Sequence, residues 1–493
     1  MSDILSRETR VLSAEFDDNV ELLREIFRCD ATFRVREFRM GAGNRCALFY
    51  LDGMVNSQLM NLSVVRPLML AETVEGDPAQ MVGERILFSN EVAQTPLLQD
   101  VLRGILYGDS ALLIEGSALA LVMNTKGWRT RGVSEPKNET VLQGPREGFD
   151  EAVMLNLALL RRKLLTPDLC VEMERIGRRT DTIVFVCYLG SLADPELVRL
   201  VKRRLSRIDI DGILDSNYIN ELIRDHRYSM FKTCGSTERP DVVASKLLEG
   251  RVAIMVDGSP VVLTVPYLFS ESFQSDEDYY LNFWIASVGR FLRYVCFFLT
   301  VSVPALYLAL LLYHQRLLPT FFLLSAAEAR SGVPFSSFVE CLALVLILEI
   351  LKETGARMPQ NLGHTLGIVG GLVVGQAAVE ARLVSAPMLI AVAVSGIAGL
   401  MIPRLRAVIF YLRLLMIFLA SALGLLGCFV GLSIILIRVL SISSFGTPYA
   451  DSLNTPTVQG LKDTAIRLPW SVMKTRPAFN RNLKRQGEIS HER

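Results

Sequence analysis

The chain has 493 residues, with 52 basic and 51 acidic side chains and a formal net charge of +1. This length predicts two or three structural units, and the near-neutral balance provides no field to attract nucleic acid, so no nucleic-acid partner is expected. Long runs after Arg293 carry almost no charge, whereas the preceding part is as charged as a soluble protein. The chain is therefore predicted to combine a soluble half with a membrane half.

The cysteines and the N-terminus indicate the compartment. Eight cysteines are scattered along the chain without a CxxC pair, which predicts neither a metal cluster nor a disulfide framework and is typical of a reducing environment. The opening residues, MSDILSRETR, are polar, so no cleavable signal peptide is expected. Residues 1–29 are assigned to an N-terminal segment, and the soluble half is expected in the cytoplasm.

Two segments of the soluble half, 108–123 and 250–265, resemble each other. In each, two apolar runs flank an acidic-Gly-Ser turn, at 115–117 and at 257–259. Glycine after an acidic residue supplies the positive φ that a tight turn needs, so both segments are predicted to be β-hairpins.

The residues upstream of the two hairpins also match. Segments 47–53 and 183–190 are buried-strand patterns that end in glycine, and a helical pattern follows, most clearly at 194–205. The recurring order predicts two related cytosolic α/β subdomains, the first at 30–130 and the second, with a linker, within 131–285. A chance likeness between strand-turn-strand units is the alternative.

The soluble half shows no catalytic motif. It contains no GxxxxGK[ST] loop, no HExxH and no GxSxG sequence. The acidic clusters at 209–211 and 276–278 could hold a cation, but clusters this short are typical of solvated turns. The chain is therefore not expected to be an enzyme, and no metal or other cofactor is expected.

The membrane half, 286–440, is predicted to be a polytopic transmembrane helical domain, followed by a cytosolic tail at 441–493. Residues 294–313 are uncharged and long enough to cross the hydrocarbon core, and the arginines before them favour a cytoplasmic N-terminal side. Further candidate spans are 365–379, 384–402 and 407–439. The last either projects into the cytosol through Arg413 or turns at 424–427 into two short spans, so four to six spans are expected.

A glycine-rich stretch lies within the candidate span at 365–379. It contains Gly367, Gly371 and Gly375, and the last two are four residues apart. Small residues at this spacing let two helix backbones approach closely in lipid. The stretch is predicted to pack against another helix, from a partner or from a neighbouring copy. A short buried helix in a soluble core is the alternative.

Four carboxylates in the membrane half are candidate ion-path residues. Glu340 and Glu349 bracket an apolar run, and Glu353 and Glu380 follow. Carboxylates within apolar helices are costly in lipid and normally face protein or water. At about 100° per residue, Glu340 and Glu349 fall on opposite faces of a helix, whereas Glu349 and Glu353 share one face. A helix that lies at the membrane interface is the alternative.

Ten segments in a fixed order resemble the A subunit of GerA-type spore germinant receptors. They are GPREGF (144–149), NLALLRR (156–162), IDIDGIL (208–214), TERPD (237–241), EGRVAI (249–254), VDGSP (256–260), VPF (333–335), EILKETG (349–355), GQAAVEA (375–381) and SFGTPY (444–449). The first 140 residues match more loosely. The chain also departs from the family pattern, since Lys352 and Met358 stand where Arg and Leu are usual, and FKTCGS (231–236) replaces a Phe-Pro pair.

The resemblance implies a multi-pass subunit of a nutrient germinant receptor in the inner membrane of spores. Its implied partners are a transporter-like B subunit and a lipoprotein C subunit, besides membrane lipid. The A subunits are thought to form homo-oligomers and to supply an ion-conducting pore that opens when nutrient binds.

Two other functions stay open. A SpoVAF-type paralogue, an accessory spore channel subunit, shares the fold of the A subunit. A secondary transporter would also be expected to carry charges near the membrane midplane. The large duplicated cytosolic half favours a receptor or channel subunit over a transporter.

Overall fold

The structure, a computed structural model, describes residues 10–71, 76–127, 136, 139, 143–357, 375–451, 463–473 and 475–476. The N-terminal half contains two five-stranded antiparallel sheets. The first is formed by β1 (Phe33–Arg39), β2 (Arg45–Leu51), β3 (Val92–Thr95), β4 (Ser110–Ile114) and β5 (Ala120–Met123). The second is formed by β6 (Leu169–Ile176), β7 (Thr182–Leu189), β8 (Gly235–Thr237), β9 (Val252–Val256) and β10 (Val262–Val265).

The strands of the two sheets follow the same order. It is β1-β2-β4-β5-β3 in the first sheet and β6-β7-β9-β10-β8 in the second. The predicted hairpins are β4–β5 and β9–β10, and they occupy equivalent positions. Their turn glycines, Gly116 and Gly258, have φ of +90° and +85°, which L-residues with a side chain rarely adopt. The shared topology therefore supports a duplication rather than a chance likeness.

Helices cover both faces of each sheet. Around the first sheet they are α1 (Phe16–Ile26), α2 (Ser57–Met60), α3 (Arg66–Leu70), α4 (Pro78–Met81) and α5 (Leu98–Tyr107); around the second they are α6 (Val153–Lys163), α7 (Pro195–Leu205), α8 (Ser216–Ile223) and α9 (Pro240–Leu248). Because side chains alternate along a strand, Phe49 of β2 packs with α1 and α5, whereas Leu48 packs with α2 and α3. Likewise, β7 sends Phe185 toward α6 and α9 but Val186 toward α7 and α8.

A short pairing joins the two sheet units. The backbone at Cys29 and Ala31 exchanges hydrogen bonds with Val171 of β6, and Asp30 forms a buried ion pair with Arg161 of α6. A disulfide links Cys29 to Cys170, which are 141 residues apart. The scattered spacing predicted no disulfide framework, yet the fold brings this pair together, because spacing along the sequence does not show which cysteines become neighbours.

The membrane half is helical. Its helices are α10 (Phe283–Tyr313), α11 (Thr320–Arg330), α12 (Ser337–Arg357), α13 (residues 375–380), α14 (Ala386–Leu400), α15 (Arg406–Leu423) and α16 (Leu425–Ser441). Within the described residues, Phe283–Tyr313 and Pro403–Leu423 are long and apolar enough to cross a membrane, and α14 and α16 are shorter apolar helices. Most of the predicted span at 365–379 lies outside the described residues.

The long apolar run at 407–439 turns within the bundle. Gly424, with φ of +64°, is the single residue between α15 and α16. A Cβ on Gly427 would lie 1.9 Å from the carbonyl oxygen of Leu419, so the two helices approach too closely for any side chain there. The structure therefore has two short helices, one of the two arrangements that the sequence left open.

The chain returns to the second sheet unit after α16. A small hairpin, β11 (Ser443–Ser444) and β12 (Thr447–Pro448), follows immediately. Ser444 Oγ donates to the carbonyl oxygen of Thr233 at 2.6 Å, and Phe445 is buried in the core between the second sheet and α7. The beginning of the predicted cytosolic tail is thus part of the second unit.

Candidate functional site

The candidate site consists of the charged groups that α12 carries into the helical bundle. This helix packs against α10, α14 and α15. Glu340, near its start, is buried, and its Oε1 accepts hydrogen bonds from the backbone N–H and the hydroxyl of Ser385, both at 2.6 Å. Ser385 is the N-cap of α14, so Glu340 places its negative charge at a helix N-terminus, where the backbone dipoles favour it.

Glu349 and Glu353 lie on one side of α12 and face basic residues of α15. Glu349 is half-buried and interacts electrostatically with Arg413 and with Lys352 of its own helix. Glu353 is exposed, and its Oε2 lies 3.8 Å from Nη2 of Arg406. The two carboxylates are one turn apart on α12 and the two arginines are two turns apart on α15. Among these four groups, only Glu353 and Arg406 approach within 4.0 Å.

The remaining candidates lie elsewhere. Glu380 is exposed at the end of α13 and accepts a hydrogen bond from Nε2 of Gln376 at 2.9 Å. A Cβ on Gly375 would lie 3.6 Å from Cδ2 of Leu389 in α14, which is an ordinary packing distance. Gly367 and Gly371 lie outside the described residues. The structure thus brings Glu349 and Glu353 together and separates them from Glu340 and Glu380.

Arg413 is the charged residue whose position the sequence did not reveal. It is 1% exposed in the middle of α15. Its Nε donates to the carbonyl oxygen of Thr300 in α10 at 3.3 Å, and its Nη2 donates to the carbonyl oxygen of Ser395 in α14 at 3.5 Å. A lone arginine within an apolar run was visible in the sequence, but such a residue can face either water or protein.

A second charge cluster joins the start of α10 to the soluble half. The fully buried Arg290 donates to Oδ2 of Asp278 at 2.8 Å and to Oδ1 of Asp463 at 2.6 Å. Arg293 donates to both oxygens of Asp278, and Tyr279 donates its hydroxyl hydrogen to Asp463. Burial raises the pKa of Asp463, although Arg290 and Tyr279 oppose that shift. Segments far apart in the sequence therefore meet where the membrane half begins.

The underside of the second unit contacts the loop before α15. Glu271 is buried and pairs with Arg251 and Lys246. Burial alone would raise the pKa of Glu271, but the two cations outweigh it and hold the pKa at about 2. Arg404 donates to the carbonyl oxygen of Glu271 at 3.1 Å and to Asp276 at 2.8 Å. The acidic cluster at 276–278 is therefore engaged by arginines rather than solvated.

The chain is similar to spore germination proteins over most of its length. Residues 21–479 match the family model described as Bacillus/Clostridium GerA spore germination protein. The chain is 36% identical to "Uncharacterized membrane protein YfkQ" of Bacillus subtilis, over 97% of this chain and 93% of that protein. It is 37% identical to "Spore germination protein KA" of Bacillus subtilis, over 90% and 82% of the two chains.

Two further relatives complete the comparison. The chain is 36% identical to "Spore germination protein GerLA" of Bacillus cereus, over 90% of this chain and 91% of that protein. The chain also matches a solved structure, "Crystal structure of the N-terminal domain of the A subunit of the Bacillus megaterium spore germinant receptor GerK3". The two sequences are 32% identical, the TM-score is 0.43, and the match covers 53% of this chain and 99% of that domain.

Proposed function

This chain belongs to the GerA family of spore germination proteins, and we propose that it is the membrane subunit of a nutrient germinant receptor that oligomerises into a nutrient-gated ion channel. The observation that carries the proposal is the set of ionisable side chains that α12 and α15 place in an apolar bundle, with Glu349 half-buried and Arg413 buried. Ionisable groups at such a place mark ion pathways or the elements that control them. The large N-terminal half also contacts the first membrane helix through the buried charge cluster around Arg290, which supports a receptor.

The assembly and its location follow from the same proposal. We propose that the chain sits in the spore inner membrane with its N-terminal half in the cytoplasm, together with a transporter-like B subunit and a lipoprotein C subunit. The glycine-rich stretch with Gly367, Gly371 and Gly375 would pack against a neighbouring copy. Exposed apolar side chains on α10 and α16, such as Phe291 and Phe429, support contact with lipid or with such a copy.

Among the four carboxylates, Glu349 is the best candidate for the ion path. The carboxylate of Glu340 already accepts two hydrogen bonds from Ser385, whereas Glu353 and Glu380 are exposed at the ends of their helices. Glu349 is half-buried at the α12 edge of the bundle. A carboxylate in this position could compensate the charge of a passing cation.

The test is the substitution Glu349→Gln in the assembled receptor reconstituted into lipid vesicles. It keeps the size and polarity of the side chain but removes its charge. We expect nutrient-evoked cation currents with altered selectivity, measured as reversal potentials in mixed Na⁺ and K⁺ solutions. Glu380→Gln is the matched control and should conduct like the parent. If receptors with Glu349→Gln assemble and conduct like the parent, and spores that carry them germinate like the parent, Glu349 is not in the ion path.

Two further measurements, substrate uptake by the vesicles and germination of spores that lack the chain, separate the alternative functions. A secondary transporter would give saturable, substrate-coupled uptake instead of ohmic current. Deletion of an accessory channel subunit of the SpoVAF type should slow germination in response to every nutrient. Deletion of a receptor subunit should instead remove the response to its own nutrient.

A further inference from the structure

Pro304 interrupts the backbone hydrogen bonds of α10, the first helix of the membrane half. Proline has no N–H group, so the carbonyl of Thr300, four residues earlier, loses its partner within the helix. Thr300 is fully buried. An unsatisfied carbonyl is costly in an apolar bundle, where water is not available to replace the lost donor.

Two side chains from other helices fill this gap. Ser395 of α14 donates its hydroxyl hydrogen to the Thr300 carbonyl oxygen at 2.8 Å, and Arg413 of α15 donates from Nε at 3.3 Å. The backbone carbonyl of Ser395 in turn accepts from Nη2 of Arg413. Three helices therefore meet at the single carbonyl that proline leaves free, and we call these residues the Pro304 junction.

The junction places an arginine where its charge needs compensation. The Nη1 atom of Arg413 is buried and has no hydrogen-bond partner within the part of the chain that the structure describes. A buried guanidinium is strongly destabilising unless a carboxylate offsets it. Glu349 of α12 shares a helix face with Glu353, which contacts Arg406 of α15 at 3.8 Å. It is therefore the carboxylate that faces α15 near Arg413, although the two form no ion pair within 4.0 Å.

A second basic group lies beside the same place. Lys352 of α12 interacts electrostatically with both Glu349 and Arg413, and its Nζ would lie 3.7 Å from a Cβ built on Gly399 of α14. Glu349 is thus shared between a cation on its own helix and a cation on α15. An α12 that moved away from α15 would keep Lys352 beside Glu349 but would lose Arg413.

We propose that Arg413 is a positioning residue of the channel, which ties α10, α14 and α15 together at the Pro304 junction and holds α12 in its resting place through Glu349. The proposal deepens the function proposed above and rests on it for the consequence of moving α12. Opening would then require Glu349 to move away from Arg413.

The junction itself is tested by thermal unfolding of the full chain in detergent, which needs no channel activity. Arg413→Gln should lower the midpoint by about 5 °C or more. Pro304→Ala gives residue 304 an N–H group that can bond to the Thr300 carbonyl. Arg413→Gln should therefore lower the unfolding midpoint clearly less in that background. A second cycle pairs Arg413→Gln with Glu349→Gln, and the double variant should be less damaged than the sum of the single ones. Additive effects in both cycles would overturn the junction.

Arg406→Gln is the matched control, since Arg406 lies on the same helix but is exposed. It should be additive with Pro304→Ala. If Arg413→Gln does not fold, Arg413→Lys replaces it in the cycle with Pro304→Ala, because lysine keeps the charge but loses the second donor group of the guanidinium.

The effect on opening is tested in assembled receptors. Arg413→Lys loses the guanidinium donors that fix the cation at the Pro304 junction. Its hold on α12 should therefore weaken, and the nutrient concentration for half-maximal current should fall by about fivefold at a parental amount of complex. An unchanged half-maximal concentration, at equal amounts, would refute the role of Arg413 in holding α12. If the parent itself passes no nutrient-evoked current, the proposed function fails, while the unfolding cycles still decide whether the junction exists.

Discussion

The first sheet is surrounded by short helices of the soluble half, whereas the second shares its core with a hairpin that follows the last membrane helix. Leu62, Leu70 and Phe88 remain exposed around the first sheet, while Phe445 from the far end of the membrane half is buried beside the second. The two units have the same strand order. A repeated fold has thus been adapted on one copy to contact the membrane half, and the buried charges are concentrated there.

The largest expected effect comes from breaking the charge cluster at the second unit. Arg290→Ala leaves the carboxylates of Asp278 and Asp463 without their buried partner, so the free energy of unfolding should fall by roughly 3–5 kcal/mol. The matched control is Arg45→Ala at the first unit, where the pair with Asp17 is exposed to solvent and its loss should be small. Thermal unfolding of the purified chain measures both. If both substitutions lower the free energy of unfolding equally, the charge cluster of the second unit contributes no more to stability than the surface pair of the first.

A smaller and pH-dependent effect is expected at Glu271. Its pKa is held at about 2, below the ordinary value of 4.5, so its ionisation stabilises the folded state above pH 4.5 and this contribution is lost as the pH falls toward 2. Glu271→Gln should therefore destabilise the chain by about 3 kcal/mol at neutral pH. The difference from the parent should shrink on acidification, as measured by denaturant unfolding at several pH values.

Glu37→Gln in the first unit is the control for this pH dependence. Glu37 pairs with Arg24 on the surface, where the pair contributes little. A parent–variant difference at Glu271 that stays constant between pH 5 and pH 2 would contradict the assignment of its low pKa.

The smallest expected effect tests the likeness of the two units. Neither Gly116 nor Gly258 has a neighbour that a Cβ would strike, since the nearest atoms lie 3.8 and 3.9 Å away. Substitution by alanine should therefore cost only the backbone strain of a positive φ, about 1–2 kcal/mol in each case. If the two substitutions lower the free energy of unfolding by unequal amounts, the two hairpins contribute differently to stability despite the same topology.

Local patterns in the sequence were enough to predict the hairpins and the two-unit organisation of the soluble half. An acidic-Gly-Ser turn between apolar runs determines both its own backbone and its neighbours. The shared helix face of Glu349 and Glu353 was predicted for the same reason, because it depends on helical periodicity alone.

The contacts that define the site depend on long-range packing. Arg290 and Asp463 are separated by 173 residues, and Asp30 and Arg161 by 131, so no local pattern relates them. Arg413 shows the limit most clearly. The sequence revealed a charge within an apolar run, but its partner is a carbonyl on α10, which becomes available because proline stands one turn later.

Both ends of the membrane half attach to the same soluble unit, and this bears on whether the number of membrane crossings is even or odd. Its first helix begins at Phe283 and carries Arg290, which bonds to Asp463. The chain after its last helix inserts Phe445 into the core of the second sheet unit. A polypeptide that leaves and rejoins the same folded body must cross a bilayer an even number of times. Of the four to six crossings expected from the sequence, four and six agree with this attachment.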